Sequence, residues 1–418
     1  MDRIIINGGK KLSGTVKISG AKNAALPILV ATLLTDDKCV IDNVPELEDV
    51  NTVLALLEQL GKKIKKIKNQ ITVLPSRKIK TSAPEELVRK MRASVLVAGP
   101  LLARFKKVKI PLPGGCAIGI RPINIHLDGF KKLGANYSIM QGCVMLNTKR
   151  LTGRKIILDF PSVGATENIL MAATLADGET IIENTAIEPE VTDLANFLVK
   201  AGAKISGVGT KVLRITGTKK LNSVEYKIIP DRIETGTFIT AAAITSGNIK
   251  IVGSNPEYNE SFIEKIKLAN TKISVITSSI IVKGSNIIKP VDVKTAVYPC
   301  FPTDLQPMWM TLMTLAKGES VITETVFENR FQTGAELIKM GADIKIKGNL
   351  AIVKGVKKLT GAKVVASDLR SAAALILAGL AAKGKSEITG LEHLDRGYEN
   401  SVAKFKQLGA DIKRVIDN

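Results

Sequence analysis

The chain has 418 residues, enough for two or three domains at about 150 residues each. Its composition is 45% hydrophobic and 24% charged, which excludes a disordered chain and a disulfide-stapled miniprotein. Sixty Lys and Arg stand against 39 Asp and Glu, a net charge of +21 that suits anionic partners: phosphorylated small molecules, nucleic acid or anionic lipid. The competing reading is a lysine-coated surface, since runs such as Lys62-Lys63-Ile64-Lys65-Lys66 look like strands.

The first residues, Met1-Asp2-Arg3-Ile4-Ile5-Ile6-Asn7-Gly8, read as a strand and lack the layout of a signal peptide. The next helix-like stretches end in a recurring signal. Gln59-Leu60-Gly61-Lys62-Lys63-Ile64 and Gln407-Leu408-Gly409-Ala410-Asp411-Ile412 are two examples. The stop falls at Gly61, Gly134, Gly202, Asn270, Gly341 and Gly409, with spacings between 68 and 73 residues. Gly and Asn are the residues a left-handed helix C-cap prefers, so each repeat carries a helix, a stop and a strand. A second landmark precedes the helices: Lys10-Lys11-Leu12-Ser13-Gly14, Lys149-Arg150-Leu151-Thr152-Gly153 and Lys357-Lys358-Leu359-Thr360-Gly361 read as small-residue turns between strands. A third is an Ala-rich helix, a turn and a strand, at 172–182, 241–252, 312–322 and 373–388. The longest apolar run, Ala372 to Ala382, is too short for a bilayer at about 20 residues and reads as a buried helix.

The expectation is an α/β chain of six βαβαββ-type repeats of about 70 residues. One core stops growing at about 250–300 residues, so three repeats per domain is the natural division. The boundary falls near 227–230, and the N-terminal strand is placed to complete the sheet of the last repeat. A solenoid is the alternative.

Departures from the repeat mark candidate chemistry. The widest spacing holds Leu112-Pro113-Gly114-Gly115-Cys116-Ala117-Ile118-Gly119-Ile120-Arg121-Pro122, a Gly- and Pro-rich loop with a thiol at its middle. Glycine flanks and Arg121 suit a reactive Cys116, whereas Cys39 and Cys143 lie in apolar runs and read as core. No C-x-x-C pair exists, and reduced thiols of a cytoplasmic protein are expected. Cations gather at helix starts: Lys22-Asn23, Arg92, Arg330, Asp368-Leu369-Arg370 and Asp395-Arg396. Such positions suit phosphate and carboxylate groups, although each Arg also has acidic neighbours to pair with. In Phe301-Pro302-Thr303-Asp304 the Asp reads as a helix cap, or as a general base if it faces a hydroxyl. No P-loop, dinucleotide fingerprint or zinc-protease motif is present, and with only His126 and His393 no metal site is expected.

Nine motifs in order carry a resemblance. They are Gly20-Ala21-Lys22-Asn23-Ala24, Met91-Arg92-Ala93-Ser94, Pro113-Gly114-Gly115-Cys116, Arg121-Pro122, Ser162-Val163-Gly164-Ala165-Thr166, Pro230-Asp231-Arg232-Ile233-Glu234-Thr235-Gly236, Phe301-Pro302-Thr303-Asp304, Glu328-Asn329-Arg330-Phe331 and Asp395-Arg396-Gly397-Tyr398-Glu399. From Ile6 to about Lys413 the chain resembles the UDP-N-acetylglucosamine 1-carboxyvinyltransferase family of enolpyruvyl transferases. The sister 3-phosphoshikimate family lacks the Pro-Gly-Gly-Cys loop. The resemblance implies a two-domain inside-out α/β barrel: residues 1–20 with 230–418 as one domain, 21–229 as the other, and the active site in the cleft between them. It implies transfer of the enolpyruvyl group of phosphoenolpyruvate to the 3-hydroxyl of UDP-N-acetylglucosamine, the first committed step of peptidoglycan precursor synthesis, with no cofactor.

The same resemblance implies roles. Cys116 is the acid, forms a pyruvate-type adduct and is the target of fosfomycin. Asp304 takes the hydroxyl proton and Asp368 supports the proton transfers. Lys22, Arg121 and Arg396 hold phosphate, Arg330 and Arg370 hold the carboxylate region, and Asn23 lies beside them. UDP-N-acetylglucosamine meets Asn23, Arg92, Arg121, Pro122, Ile123, Asn124, Ile125, Ser162, Val163, Asp304 and Val326. Asn124, Cys300 and Asn270 depart from the commonest family pattern. Competing readings are a transferase with another hydroxyl acceptor, a paralogue without turnover, and a nucleic-acid-binding protein. Low aromatic content (4%) and the lack of a basic stripe argue against the last. The implied partners are small molecules, with no nucleic acid and no membrane insertion; the oligomeric state is left open.

Overall fold

The computed structural model describes residues 2–112 and 123–416. Its sheets repeat one design. In the third repeat Lys155–Ile157 runs parallel to Glu179–Glu183, which is antiparallel to Val212–Thr216, itself antiparallel to Lys204–Ser206. Five four-stranded sheets share this order, and a sixth has three strands. In that sheet, Lys107–Pro111, Cys143–Asn147 and Asn136–Met140, the parallel outer strand shrinks to a single bridge between Ser82 and Lys109.

The repeat stop is left-handed in all six cases: Gly61, Gly134, Gly202, Asn270, Gly341 and Gly409 all have positive φ. Asn270, at φ 74°, occupies this conformation because its short polar side chain tolerates it and bonds Ile287 O at 2.9 Å.

Two compact units result. One contains residues 2–19 and 230–416, here the terminal unit; the other, the inner unit, contains 20–112 and 123–229. At the centre of the terminal unit the helices Arg232–Ile244, Gln306–Met313 and Leu369–Ala381 pack on one another. They are almost wholly buried, and among the polar side chains they carry Glu234 and Thr237 have hydrogen-bond partners. In the inner unit Ala98–Phe105 packs on Val163–Ala173, and Lys22–Ala31 packs on the turn Arg92–Val97. Each unit has its own core, with helices inside and sheets outside. The strands at sheet edges explain much of the charge: Lys63, Lys65, Lys66, Lys272, Lys345 and Lys347 are all exposed on edge strands. Lysine there discourages pairing with another chain. Among the described residues no helix is long and apolar enough to cross a membrane.

The sheets are closed by distant parts of the chain. Arg3–Asn7 lies between Lys385–Thr389 and Asp411–Val415 in the sheet of the last repeat. Ser13–Lys17 pairs with Asn248–Val252, and Val224–Lys227 pairs with Cys39–Asp42. The chain therefore passes from one unit to the other twice, after Ser19 and after Ile229. Gly20 belongs to the inner unit. A Cβ there would lie 1.7 Å from the Asn43 carbonyl oxygen, so the position has room only for glycine.

Ser19 is fastened by a buried polar network. Its N–H donates to Glu234 at 2.7 Å, its hydroxyl donates to Glu399, and Lys404 donates both to the Ser19 hydroxyl, at 2.7 Å, and to Glu234. Burial pushes the Glu234 carboxyl up to about 7, against the opposing pull of Lys404. A raised carboxyl contributes stability that is full below pH 4.5 and lost as pH rises through about 7. Lys404→Met strands the Glu234 carboxylate, so it should cost about 3 kcal/mol at pH 8 and clearly less at pH 5, where the carboxyl is protonated. Denaturant unfolding of both proteins at the two pH values measures this; an equal cost at both would contradict the assignment.

Candidate functional site

In the terminal unit two of the candidate arginines, Arg330 and Arg370, meet on one carboxylate. Pro302 and Thr303 start a short 3-10 turn, Thr303–Leu305, that leads into Gln306–Met313, and no side chain caps it. Asp304 is therefore free to face inward. One of its oxygens accepts from Arg330 Nη2 at 2.6 Å and the other from Arg370 Nη2 at 2.7 Å. Arg330 also donates through Nε to Thr303 O at 3.2 Å. The arginine side chains are 2% and 6% exposed, and that of Asp304 is 28% exposed. Burial alone would raise the Asp304 carboxyl, but the charges of Arg370, then Arg330 and Arg232, hold it well below the usual carboxylate range. Burial would lower the Arg370 guanidinium, and the Asp304 charge more than reverses that.

The cap role that the local sequence allowed for Asp304 belongs to other residues. Asp368 caps Leu369–Ala381, its Oδ1 accepting from Arg370 N at 2.8 Å and Ser371 N at 3.2 Å. The same oxygen lies 3.7 Å from Arg330 Nη1. Asp231 caps Arg232–Ile244 in the same manner. Tyr398 closes the back of the cluster. Its ring centre is 5.8 Å from the Arg370 guanidinium carbon, its hydroxyl meets Thr237 Oγ1 at 2.8 Å, and burial pushes the phenol up to about 12. Arg396 is half-buried on the turn after Leu391–Leu394; its neighbour Asp395 is gripped by both terminal nitrogens of Arg414, each at 2.7 Å. Val326 lies in the loop after Glu319–Thr323.

In the inner unit Lys22 opens the helix Lys22–Ala31, and its ammonium sits 3.0 Å from Asp49, with side chains 12% and 6% exposed. Asn23 follows it, half-buried. Asp49 is the partner that sequence reasoning missed; it lies in the first turn of Glu48–Leu60, 27 residues from Lys22. Arg92 starts the turn Arg92–Val97 beside His126. Burial, and then the Arg92 charge, push the imidazole down to about 3, so it is neutral. Asn168 fixes its tautomer. The Asn168 carbonyl accepts from Gly99 N at 2.7 Å, and its amide donates to Val95 O at 3.0 Å and to His126 Nδ1 at 3.1 Å. Nδ1 is an acceptor there, which leaves the proton on Nε2. Ser162 caps Val163–Ala173 through Ala165 N at 3.4 Å. Ile123 is buried before Asn124–Lys132, Asn124 is exposed and Ile125 is half-buried. The helix N-termini at Lys22, Asn124 and Val163 are long enough to favour anions.

Cys116, Arg121 and Pro122 lie outside the described residues. Of the other thiols, Cys39 is buried and raised to about 11, mainly by burial, Cys143 is half-buried and Cys300 is exposed. Among the described residues no group of three or more His, Cys, Asp or Glu is arranged to hold a metal ion.

Known proteins match over the whole chain. The family model described as EPSP synthase (3-phosphoshikimate 1-carboxyvinyltransferase) matches residues 6–405. UDP-N-acetylglucosamine 1-carboxyvinyltransferase 1 of Carboxydothermus hydrogenoformans is 51% identical over 415 residues, covering 99% of each chain. UDP-N-acetylglucosamine 1-carboxyvinyltransferase of Desulfosudis oleivorans is 53% identical over 415 residues, covering 99% of this chain and all of its own. Among solved structures, the enolpyruvyl transferase NikO of Streptomyces tendae superposes with a TM-score of 0.90 at 24% identity, covering 100% of this chain and 99% of its own. EPSP synthase of Acinetobacter baumannii superposes at 0.77 and 20%, covering all of both chains. These two likenesses show the fold.

A neutral buried His126 has a measurable consequence. Its folded-state value lies below the ordinary 6.5, so its contribution to stability is present above pH 6.5 and is lost as pH falls from there towards about 3. His126→Gln keeps an acceptor for Asn168 and cannot take up the proton. The unfolding free energy from urea titrations between pH 6.5 and 4 should fall less steeply for the variant, by up to about 1.4 kcal/mol per pH unit. Parallel curves would show that His126 does not titrate in this way.

Proposed function

We infer the function from a plain premise: the chain belongs to the 1-carboxyvinyltransferases, the enolpyruvyl transferases. It transfers the enolpyruvyl group of phosphoenolpyruvate to UDP-N-acetylglucosamine with release of phosphate, the first committed step of peptidoglycan precursor synthesis. We place that step in the cytoplasm and assign it two anionic small-molecule substrates.

The chemistry sets what the residues must do. The methylene carbon of phosphoenolpyruvate gains a proton, which leaves an oxocarbenium-like centre at the adjacent carbon. The sugar 3-hydroxyl adds there and loses its proton. Removal of a proton from the new methyl group then restores the double bond as phosphate leaves. An acid, a base and fixed cations are required. In our reading Cys116 is the acid and the point of attack for the epoxide fosfomycin. Lys22, Arg121 and Arg396 take the phosphate, and Arg330 and Arg370 take the carboxylate region. Asn23, Arg92, Arg121, Pro122, Ile123, Asn124, Ile125, Ser162, Val163, Asp304 and Val326 meet the sugar nucleotide.

One observation carries the site reading: two buried arginines meet on the two oxygens of Asp304, at 2.6 and 2.7 Å. That geometry supports a site for a planar anion, with Asp304 standing where the substrate's own acid group would compete. It also gives the base a condition. A carboxylate held this strongly acidic is a poor proton acceptor. A substrate anion that draws Arg370 and Arg330 away restores its basicity, so Asp304 takes the hydroxyl proton only when phosphoenolpyruvate is bound. Asp368 supports the transfer by holding the first turn of the Arg370 helix and lying close to Arg330.

The test is phosphate release from phosphoenolpyruvate, with and without UDP-N-acetylglucosamine, together with product mass. Acceptor-dependent release with an enolpyruvyl mass gain is expected. Cys116→Ser should lose turnover, and Asp304→Asn should lower kcat at least about 100-fold while the protein stays folded. No release with a folded wild type would remove the proposal.

A further inference from the structure

Glu324 has no part in the roles above, yet it is bonded to both halves of the Asp304 cluster. It follows the strand Glu319–Thr323 and is 3% exposed. Oε1 accepts from Val326 N at 2.7 Å and Phe327 N at 3.1 Å, which turns the chain towards Arg330. Oε2 accepts from the Thr303 hydroxyl at 3.0 Å. Thr303 is the residue before Asp304, and its carbonyl accepts from Arg330 Nε at 3.2 Å. One buried carboxylate thus ties the segment that carries the base to the segment that carries one of its arginines. A buried charge is expensive unless its lone pairs are met, and here three donors meet them.

The loop has a separate anchor for its fold. Thr325 N donates to Thr295 Oγ1 at 3.0 Å, and Thr325 Oγ1 donates to Thr295 O at 2.6 Å. Glu324 is therefore not the sole support of this turn, and its added bonds run to the functional segments.

We propose that Glu324 is a positioning residue for enolpyruvyl transfer, setting Asp304 and Arg330 in register through Thr303 and the 326–327 turn. The proposal rests on the reading of Asp304 and Arg330 given above. It depends on geometry and not on the charge of Glu324, which separates it from an electrostatic role. Gln at 324 keeps the geometry: its carbonyl accepts the two backbone N–H groups, its amide donates to Thr303 Oγ1, and the hydroxyl turns to accept.

The experiment compares kcat, KM for phosphoenolpyruvate and thermal midpoint for wild type, Glu324→Gln, Glu324→Ala and Thr303→Val. Acceptor-dependent turnover of the wild type is read first, so failure of the functional reading shows there, and failure of this inference shows only in the variants. Glu324→Ala should lower kcat about 100-fold, the scale of a misplacement of about 1 Å, with a smaller change in KM. Glu324→Gln should stay within about fivefold of wild type. Thr303→Val cuts one arm only and should lose about tenfold. Wild-type kcat in Glu324→Ala overturns the proposal, as does a folded Glu324→Gln that is as inactive as Ala. If Glu324→Ala does not fold, Thr303→Val decides: unchanged kcat there overturns the proposal, and a loss at unchanged thermal midpoint supports it.

Discussion

A guanidinium group taken out of water costs several kcal/mol unless an opposite charge meets it. The terminal unit takes out two, Arg330 and Arg370, and brings them to the same carboxylate. Much of the surrounding structure follows from that constraint. Asp368 caps the helix that presents Arg370, Tyr398 lays its ring against the same guanidinium, and Thr303 offers its carbonyl to Arg330. The arrangement is satisfied without any substrate. In the proposed reaction an anionic substrate does not enter an unmet cation site; it exchanges with Asp304. Exchange couples two events that catalysis needs together, because the group that gives up the arginines is the group that must then accept a proton. In that proposal the interaction that meets the buried arginines is also the one that keeps Asp304 from accepting a proton.

The repeat was legible because it depends on a local backbone requirement. A helix that stops in the left-handed conformation needs Gly, or Asn with its short polar side chain, and all six stops have positive φ. The apolar run 372–382 was legible for a similar reason, since a helix with no polar face has only the interior to occupy. Sheet closure was harder to read. Ser13–Lys17 pairs with a strand that begins at Asn248, and nothing local selects that partner over another strand of the same pattern. The second repeat's lost outer strand, reduced to the Ser82 bridge, left no compositional trace either.

The candidate site shows the same division between local and distant information. Helix caps are short-range, and the Asp residues at 231 and 368 directly precede helices that they cap. Asp304 has similar surroundings in sequence and does something else, because its partners lie 26 and 66 residues away. Asp49 could not be matched to Lys22, nor Asn168 to His126, for that reason. The motifs quoted for the family resemblance hold Asp304, Arg330 and Tyr398, whereas Asp368 and Arg370 were picked out as charged residues at a helix start. The motifs did not include Glu324, whose bonds run to Thr303 and to the Val326–Phe327 turn.

The net charge of +21 deserves to be separated from the chemistry it first suggested. Many of the lysines behind it stand exposed on sheet edges, where a screened cation in water binds little by itself. Among the described candidate cations the best defined are enclosed and already neutralised: Lys22 by Asp49 in the inner unit, Arg330 and Arg370 by Asp304 in the terminal unit. His126 adds no charge, because burial beside Arg92 keeps it neutral. A small phosphorylated acid is recognised by cations whose positions are fixed and whose partners can be exchanged. A polyanion would instead use many exposed cations at once, with a steep dependence on salt. The buried, paired arrangement favours the first kind of ligand, so the function is legible in a handful of enclosed side chains and not in the overall charge.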